Sequence, residues 1–415
     1  MRLVLWHGYL LEGTGSNIYT QHVARAWGRL GHEVVVVCQE PRPERFALGP
    51  NVHVVRPEVG PLLPVFVLDR YEGVEARHVA DMTAGELELF VDRNARAVAE
   101  AHDGRADLVL ANHLLMGGPV AARACAGGTA HAVKIHGSEL EYAIRGRPQL
   151  ASRAAASLAG ARALFAGSGH IVEVTEELLG PGLDERLHVV PPGVDTDAFH
   201  TGGGDLAALV ELLHADASAP HPGRPAERAP DLDAGERLAG VGRFVLYFGK
   251  LMQQKGVHLL LEAWSRLAAG HPDVALVVVG FGDARGELEA MPAERVIFTG
   301  AMDHEHLQLL VPLADAVVVP SVLPEAFGMV AAEAAACGVL PIVADHSGLA
   351  EVAAGLGPNC LTFDGSARDL EARLAELLAL PAARRRQMGV DARAAVVERW
   401  SWDGIAQRLI DVSLS

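Results

Sequence analysis

Phe244-Val245-Leu246-Tyr247-Phe248-Gly249-Lys250-Leu251-Met252-Gln253-Gln254-Lys255-Gly256 decides how the chain is read. A five-residue apolar run ends at a glycine turn, and the following residues, 256–269, carry a helical pattern. The unit recurs on both sides. Further strands are predicted near 275–279, 296–299, 316–319 and 340–343, with helices over 304–314, 329–336 and 367–379. In the first half, strands are predicted at 2–6, 33–38, 108–111, 132–135 and 163–166, and helices at 18–30, 85–101 and 117–126. Strands alternating with helices imply parallel βαβ units. Two such series in 415 residues predict an α/β protein of two doubly wound, Rossmann-like domains, rather than one eight-stranded barrel.

Composition narrows the function. The net charge is −17, and acids outnumber bases in both halves, which argues against a nucleic-acid binder. Membrane association is not expected on the same ground. Cys38, Cys125, Cys337 and Cys360 are far apart and form no C-x-x-C, so reduced, buried thiols and a cytoplasmic location are expected. The opening Met1–Trp6 is too short for a signal peptide and reads as a first strand. Between the two series, Pro220, Pro222, Pro225 and Pro230 fall within eleven residues, and this stretch is read as a surface excursion. A short apolar helix is expected just before it, at Leu206–His214.

Three strand exits carry chemistry. Glu12-Gly13-Thr14-Gly15-Ser16 follows the first strand and opens a helix, where free N–H groups can face an anion. It is not G-x-G-x-x-G, and Glu40 is the nearest acid for a ribose, so a dinucleotide site is not expected. Lys250 and Lys255 flank the second turn and can converge on one diphosphate, which a developing leaving-group charge requires. The chain has very few lysines, and two of them sit at this one exit. The third exit reads Pro320-Ser-Val-Leu-Pro-Glu325-Ala-Phe327-Gly328-Met329-Val330-Ala-Ala-Glu333. Its two carboxylates suit hydroxyls of two different sugars, and the helix start between them suits phosphate. A glycosidase pair is the rival reading, and it requires carboxylates roughly 5 to 9.5 Å apart.

Taken with Lys134-Ile-His136-Gly137-Ser138-Glu139, Pro192-Gly-Val-Asp-Thr196, Val279-Gly-Phe-Gly282 and Phe298-Thr-Gly300, these segments make the chain resemble a retaining GT-B glycosyltransferase of family 4 over nearly its whole length. The resemblance implies two domains facing each other across a cleft. These are an acceptor-binding domain at 1–195, a linker at 196–243, a nucleotide-sugar domain at 244–398, and a last helix, 399–415, packing back toward the first domain. It implies Glu325 on donor-sugar hydroxyls, Glu333 on the ribose, Lys250 and Lys255 on the diphosphate, and His136 beside the reacting carbon. Backbone groups at Gly13, Gly15, Phe327, Gly328, Met329 and Val330 would add to substrate binding, and the segment to Met302 would edge the base. Glu139 falls in the His136 segment and is counted with the substrate-binding residues. The family often has Arg where Lys250 stands, and Lys lacks the bidentate fork.

The implied substrates are a nucleotide-diphosphate sugar, with UDP favoured, and a small-molecule acceptor. No cofactor and no metal are expected, and oligomeric state is left open. Asp195-x-Asp197 follows a Pro-Gly turn and reads as a linker or cap rather than a metal motif. His304-Glu305-His306 lacks the i, i+4 spacing of a helical zinc pair and reads as a helix start. Arg145, Arg147, Arg153 and Arg162 form a run without acids, and Arg145 is taken as a candidate acceptor contact. Alternatives of other kinds are an epimerase or phosphorylase of the same architecture and a non-catalytic nucleotide-sugar binder.

Overall fold

Short apolar runs become strands buried on both faces. The computed structural model describes residues 1–11, 15–60, 62–66, 75–180, 182–183, 185–218 and 232–415. In chain order its first strands are β1 (Arg2–Trp6), β2 (Glu33–Val37), β3 (Val52–Val55), β4 (Leu62–Val65), β5 (Glu75–His78), β6 (Leu108–Asn112), β7 (His131–Lys134), β8 (Ala163–Ala166) and β9 (Leu187–Val189). Seven make one parallel sheet in the order β3-β2-β1-β6-β7-β8-β9, while β4 and β5 pair separately. The connecting helices are α1 (Gly15–Arg29), α2 (Ala84–His102), α3 (Leu114–Ala124), α4 (Gly137–Glu139) with a π turn at Leu140–Ile144, α5 (Pro148–Ser157) and α6 (Gly169–Leu179).

The second series repeats the plan. Its strands are β10 (Arg243–Phe248), β11 (Val274–Val279), β12 (Val296–Phe298), β13 (Ala316–Val319), β14 (Leu340–Ala344) and β15 (Leu361–Phe363), parallel throughout in the order β12-β11-β10-β13-β14-β15. Its helices are α7 (Leu206–Ser218), α8 (Leu232–Ala239), α9 (Val257–Leu267), α10 (Arg285–Glu289), α11 (His304–Leu310), α12 (Met329–Ala336), α13 (Ser347–Leu356), α14 (Ala367–Ala379) and α15 (Ala382–Trp400). Two open sheets exclude the single barrel. In each, strand order reverses beside the first strand, between β1 and β6 and between β10 and β13. Open α/β sheets bind ligands at the carboxyl ends of strands flanking such a reversal.

The chain divides into two compact units, residues 1–193 with 402–415, and residues 194–401. The division falls between two tryptophans. Trp400 is buried against Phe327 in the second unit, and Trp402 against Tyr19 in the first. The last helix, α16 (Trp402–Leu414), packs on α1, where Trp27 Nε1 donates to the Ala406 carbonyl at 3.0 Å.

One expectation is corrected here. The stretch 196–243, expected as a linker with one short helix at Leu206–His214, also holds α8, and α7 and α8 pack on each other while α7 packs on α11. Leu209, Leu213 and Leu238 are buried in the core of the second unit. Apolar residues at i and i+4 give α7 one face to bury, and that face outweighs the nearby prolines. The proline-rich excursion itself, 219–231, lies outside the described residues. Asp195 is a cap, its Oδ1 accepting from the N–H groups of Asp197 and Ala198 at 3.2 and 3.0 Å.

Candidate active site

In the second unit, the exits of β10 and β13 meet. Gly256 (φ +68°) lets the turn after β10 pass close to the next exit, where a Cβ would collide with the Pro320 carbonyl oxygen. This closeness brings together residues 70 apart in sequence, with Lys255 Nζ 2.5 Å from Glu325 Oε1. Ser321 Oγ donates to the same oxygen at 2.6 Å. The turn is fastened elsewhere by Leu251 N–H on the Phe281 carbonyl (2.7 Å) and Tyr247 O–H on the Lys250 carbonyl (2.8 Å). Gly280 N–H reaches the Gly300 carbonyl at 2.8 Å, joining the exits of β11 and β12. Among the described residues the Lys250 ammonium has no hydrogen-bond or ion-pair partner, so it remains a half-buried cation at this exit.

The backbone of Glu325 is also held. Its N–H donates to Ser347 Oγ (2.9 Å), and its carbonyl accepts from Gly348 N–H (3.0 Å). Phe327 turns its ring inward onto Trp400, and Gly328 (φ +123°) starts α12. Met329 and Val330 on its first turn are half-buried, as is Met302 beyond the exit of β12. Glu333 is buried on α12, with Oε1 3.4 Å from His304 Nε2. Burial opposes protonation of His304, but Glu333 outweighs it, Asp195 adds to it, and the imidazole is held above its ordinary range. Ser321, His346, Ser347 and His304 were not anticipated, because only the fold brings their exits beside the two glutamates.

In the first unit, the exits of β1, β6 and β7 gather three histidines. His136 follows β7, and its Nε2 lies 2.9 Å from Asn112 Oδ1. Asn112 Nδ2 donates to the Trp6 carbonyl and to Thr20 Oγ1, so its oxygen faces the ring and Nε2 of His136 carries the proton. The His113 ring lies 4.5 Å from that of His136 and 5.9 Å from that of His7. His7 is anchored by Asn17 Oδ1 at 2.8 Å. His113 has φ +66°, and neither of its buried ring nitrogens has a hydrogen-bond partner among the described residues. Burial depresses all three imidazoles, His7 to about 4, so at neutral pH they offer donors and lone pairs rather than charge. Behind them, Lys134 donates to the Val190 carbonyl at 2.6 Å, and burial lowers its ammonium to about 7. His7, His113 and Asn112 carry no motif of their own. Position at a strand exit was their only sequence signal.

Two substrate-contact expectations are corrected. Glu139 is fully buried, and its oxygens accept the N–H groups of Leu114, Leu115 and His136, each at 3.0 Å. Burial pushes its carboxyl up to about 7 against those three donors. It ties the start of α3 to the His136 turn and has no free face for a ligand. Arg145 is not a free cation, because it pairs with Glu141 (2.8 Å) and Glu177 (2.6 Å). Arg153 likewise pairs with Glu88 at 2.6 Å, while Arg147 donates to the Tyr142 and Ala143 carbonyls. Gly15 begins α1 with open space at its Cα, and Gly13 lies outside the described residues. The four cysteines are buried and free, each thiol pushed up to about 12 by burial.

Two parallel α/β units, each with a polar cluster at its strand-order reversal, give the chain the GT-B architecture. The chain matches Anabaena HepE in complex with UDP-glucose (TM-score 0.68, 18% identity, 99% of this chain and 98% of that one). It also matches sucrose-phosphate synthase from Thermosynechococcus elongatus (TM-score 0.63, 20% identity, 99% and 97%). The description "Glycosyltransferase Family 4" fits residues 13–198, and "Glycosyl transferases group 1" fits residues 231–395. D-inositol 3-phosphate glycosyltransferase 1 of Catenulispora acidiphila is 30% identical over 77% of this chain and 76% of its own length. The D-inositol 3-phosphate glycosyltransferase of Xylanimonas cellulosilytica is 28% identical over 97% and 91%. The chain belongs to the family 4 GT-B glycosyltransferases and is a glycosyltransferase acting on nucleotide sugars.

Proposed function

We propose that the chain is a retaining glycosyltransferase that moves a sugar from a UDP-sugar to a hydroxyl of a small-molecule acceptor. The second unit holds the donor and the first presents the acceptor. The observation that carries this reading is the Lys255–Glu325 pair, with Lys250 on the same turn, at one strand-order reversal. Lys250 and Lys255 hold the diphosphate and stabilise the charge that builds as the glycosidic bond breaks. Glu325 holds donor-sugar hydroxyls and Glu333 the ribose. Backbone N–H groups from Phe327 to Val330, at the start of α12, face phosphate. His136 is the residue that the family resemblance assigns to the reacting carbon.

The donor's own phosphate oxygen takes the acceptor proton on the face the leaving group vacates, while an oxocarbenium-like centre forms. No covalent intermediate on the enzyme and no cofactor are needed. Positioning and electrostatics carry the rate. Buried, reduced thiols suit the cytoplasm. UDP is supported by the HepE complex with UDP-glucose. GDP is the competing base, since a Mycolicibacterium smegmatis relative, 31% identical over 56% of this chain, is named a GDP-mannose-dependent mannosyltransferase.

A thermal-shift series with UDP, GDP, ADP and their sugars tests the donor. A ligand at 100 times its Kd adds about 2.7 kcal/mol. Proton NMR of the product then reports the anomeric configuration. Inversion would overturn the retaining mechanism. A donor altered without any acceptor would point to an epimerase, and tight binding without turnover to a sensor.

A further inference from the structure

Four non-glycine residues have positive φ among the described residues: Asp103, His113, Arg295 and Ser347. Asp103 caps a helix end, where that conformation is ordinary. Ser347 (φ +53°) opens α13 instead, directly after the exit of β14. A serine in the left-handed region is less stable than glycine there, and such residues persist where the surroundings use them. Its hydroxyl has a use, accepting the Glu325 N–H at 2.9 Å.

The neighbouring ring completes a directed chain. His346 Nε2 lies 2.8 Å from the Ser321 carbonyl, which can only accept, so Nε2 carries the proton. Nδ1 is then a lone pair, 3.0 Å from Ser347 Oγ, and takes the serine proton. The serine oxygen is thereby turned to accept from Glu325. The chain runs Glu325 N–H to Ser347, Ser347 O–H to His346, and His346 N–H to the Ser321 carbonyl. It closes through Ser321 Oγ on Glu325 Oε1 at 2.6 Å. Every donor in this loop has an acceptor, and the loop encloses one carboxylate.

We infer that Ser347 and His346 are positioning residues that set the orientation of Glu325 toward the donor sugar. The assignment rests on the donor-sugar role proposed above for Glu325. It predicts a split between sugar and nucleotide recognition, because the loop holds Glu325 directly, does not touch Lys250 or Glu333, and meets Lys255 only through the shared Glu325 Oε1.

Calorimetry of UDP and UDP-glucose with wild type, Ser347→Gly, Ser347→Ala and His346→Phe tests it, with amide hydrogen exchange of segment 321–328 followed without nucleotide. Ser347→Gly should melt no lower than wild type, yet lose roughly fivefold to tenfold affinity for UDP-glucose while keeping its affinity for UDP. Ser347→Ala and His346→Phe should show the same selective loss, with faster exchange at Glu325. A merely structural serine would not raise or hold the melting temperature while weakening sugar recognition. An unchanged UDP-glucose to UDP affinity ratio in all three variants overturns the inference. If wild type binds neither compound, the donor reading fails. Exchange at Glu325 then decides the positioning role alone, with unaltered rates counting against it.

Discussion

Lys255 is the side chain on which most depends, since it meets Glu325 at 2.5 Å and stands at the same turn as Lys250. Lys255→Ala should lower turnover at least tenfold, because a charged hydrogen-bond partner contributes about 1.5–3 kcal/mol. Unchanged kcat in that variant would remove the diphosphate assignment. Arg145→Ala is the contrasting case. Its two ion pairs are solvent-exposed, and such pairs contribute about 0–1 kcal/mol each, so melting should barely move and donor affinity should not change. A tenfold weaker acceptor affinity would restore Arg145 to the site. These roles were unequally legible. Lys250, Lys255, Glu325 and Glu333 announce themselves by spacing. Arg145 misled because its partners, Glu141 and Glu177, are brought to it by neighbouring turns of the fold.

Strand exits are where this chain spends its unusual backbone. Gly256 takes φ +68° against the Pro320 carbonyl, so Gly256→Ala combines left-handed strain with a collision. It should destabilise the second unit by more than about 2 kcal/mol and raise KM for the donor, as urea unfolding and initial rates would report. Normal stability in this variant would mean the turn can relax away from β13. In the first unit, Glu139 binds α3 to the turn after β7 through three backbone N–H groups. Glu139→Gln replaces one acceptor oxygen with a donor, leaving a buried N–H unmatched at about 1–3 kcal/mol. The strand runs at 2–6, 163–166 and 316–319 were read to the residue, as were the helices at 329–336 and 367–379. Missed were β3, β4, β5, β9, β15, α4, α5, α6, α8, α10, α13 and α15. The strands among them are three or four residues long, and α15 has its apolar residues scattered over a charged helix.

Taken over its buried histidines, the first unit should weaken in acid. Burial lowers His7, His113 and His136 in the folded state, so the unfolded chain binds their protons first as pH falls below about 6.5. Their contribution is fully present near neutrality and is lost as pH falls, that of His7 by about pH 4. Glu139, raised to about 7, works the other way, stabilising below the ordinary carboxylate range and losing that contribution as pH rises to 7. Burial lowers His32, His131 and Lys134 of this unit as well, so the depressed cations outnumber the one raised carboxyl and unfolding takes up protons in this window. Urea titrations at pH 4.5 and 7 should show the higher stability at 7, and His113→Phe should flatten the difference. Equal stability at both pH values would mean the rings are not buried as neutral species.

The alternation of short apolar runs with helical periods was enough, by itself, to give two parallel α/β domains, because burial on both faces forces that composition. Local spacing likewise marked the lysine turn and the paired glutamates. Tertiary structure alone decided which exits meet. Strand order places β10 beside β13 and β1 beside β6, though each pair is far apart in the chain. That order joins Lys255 to Glu325, surrounds His136 with His113 and Asn112, and turns Glu139 inward. No local pattern encodes such neighbours, since sheet order is set by how whole strands and helices bury one another.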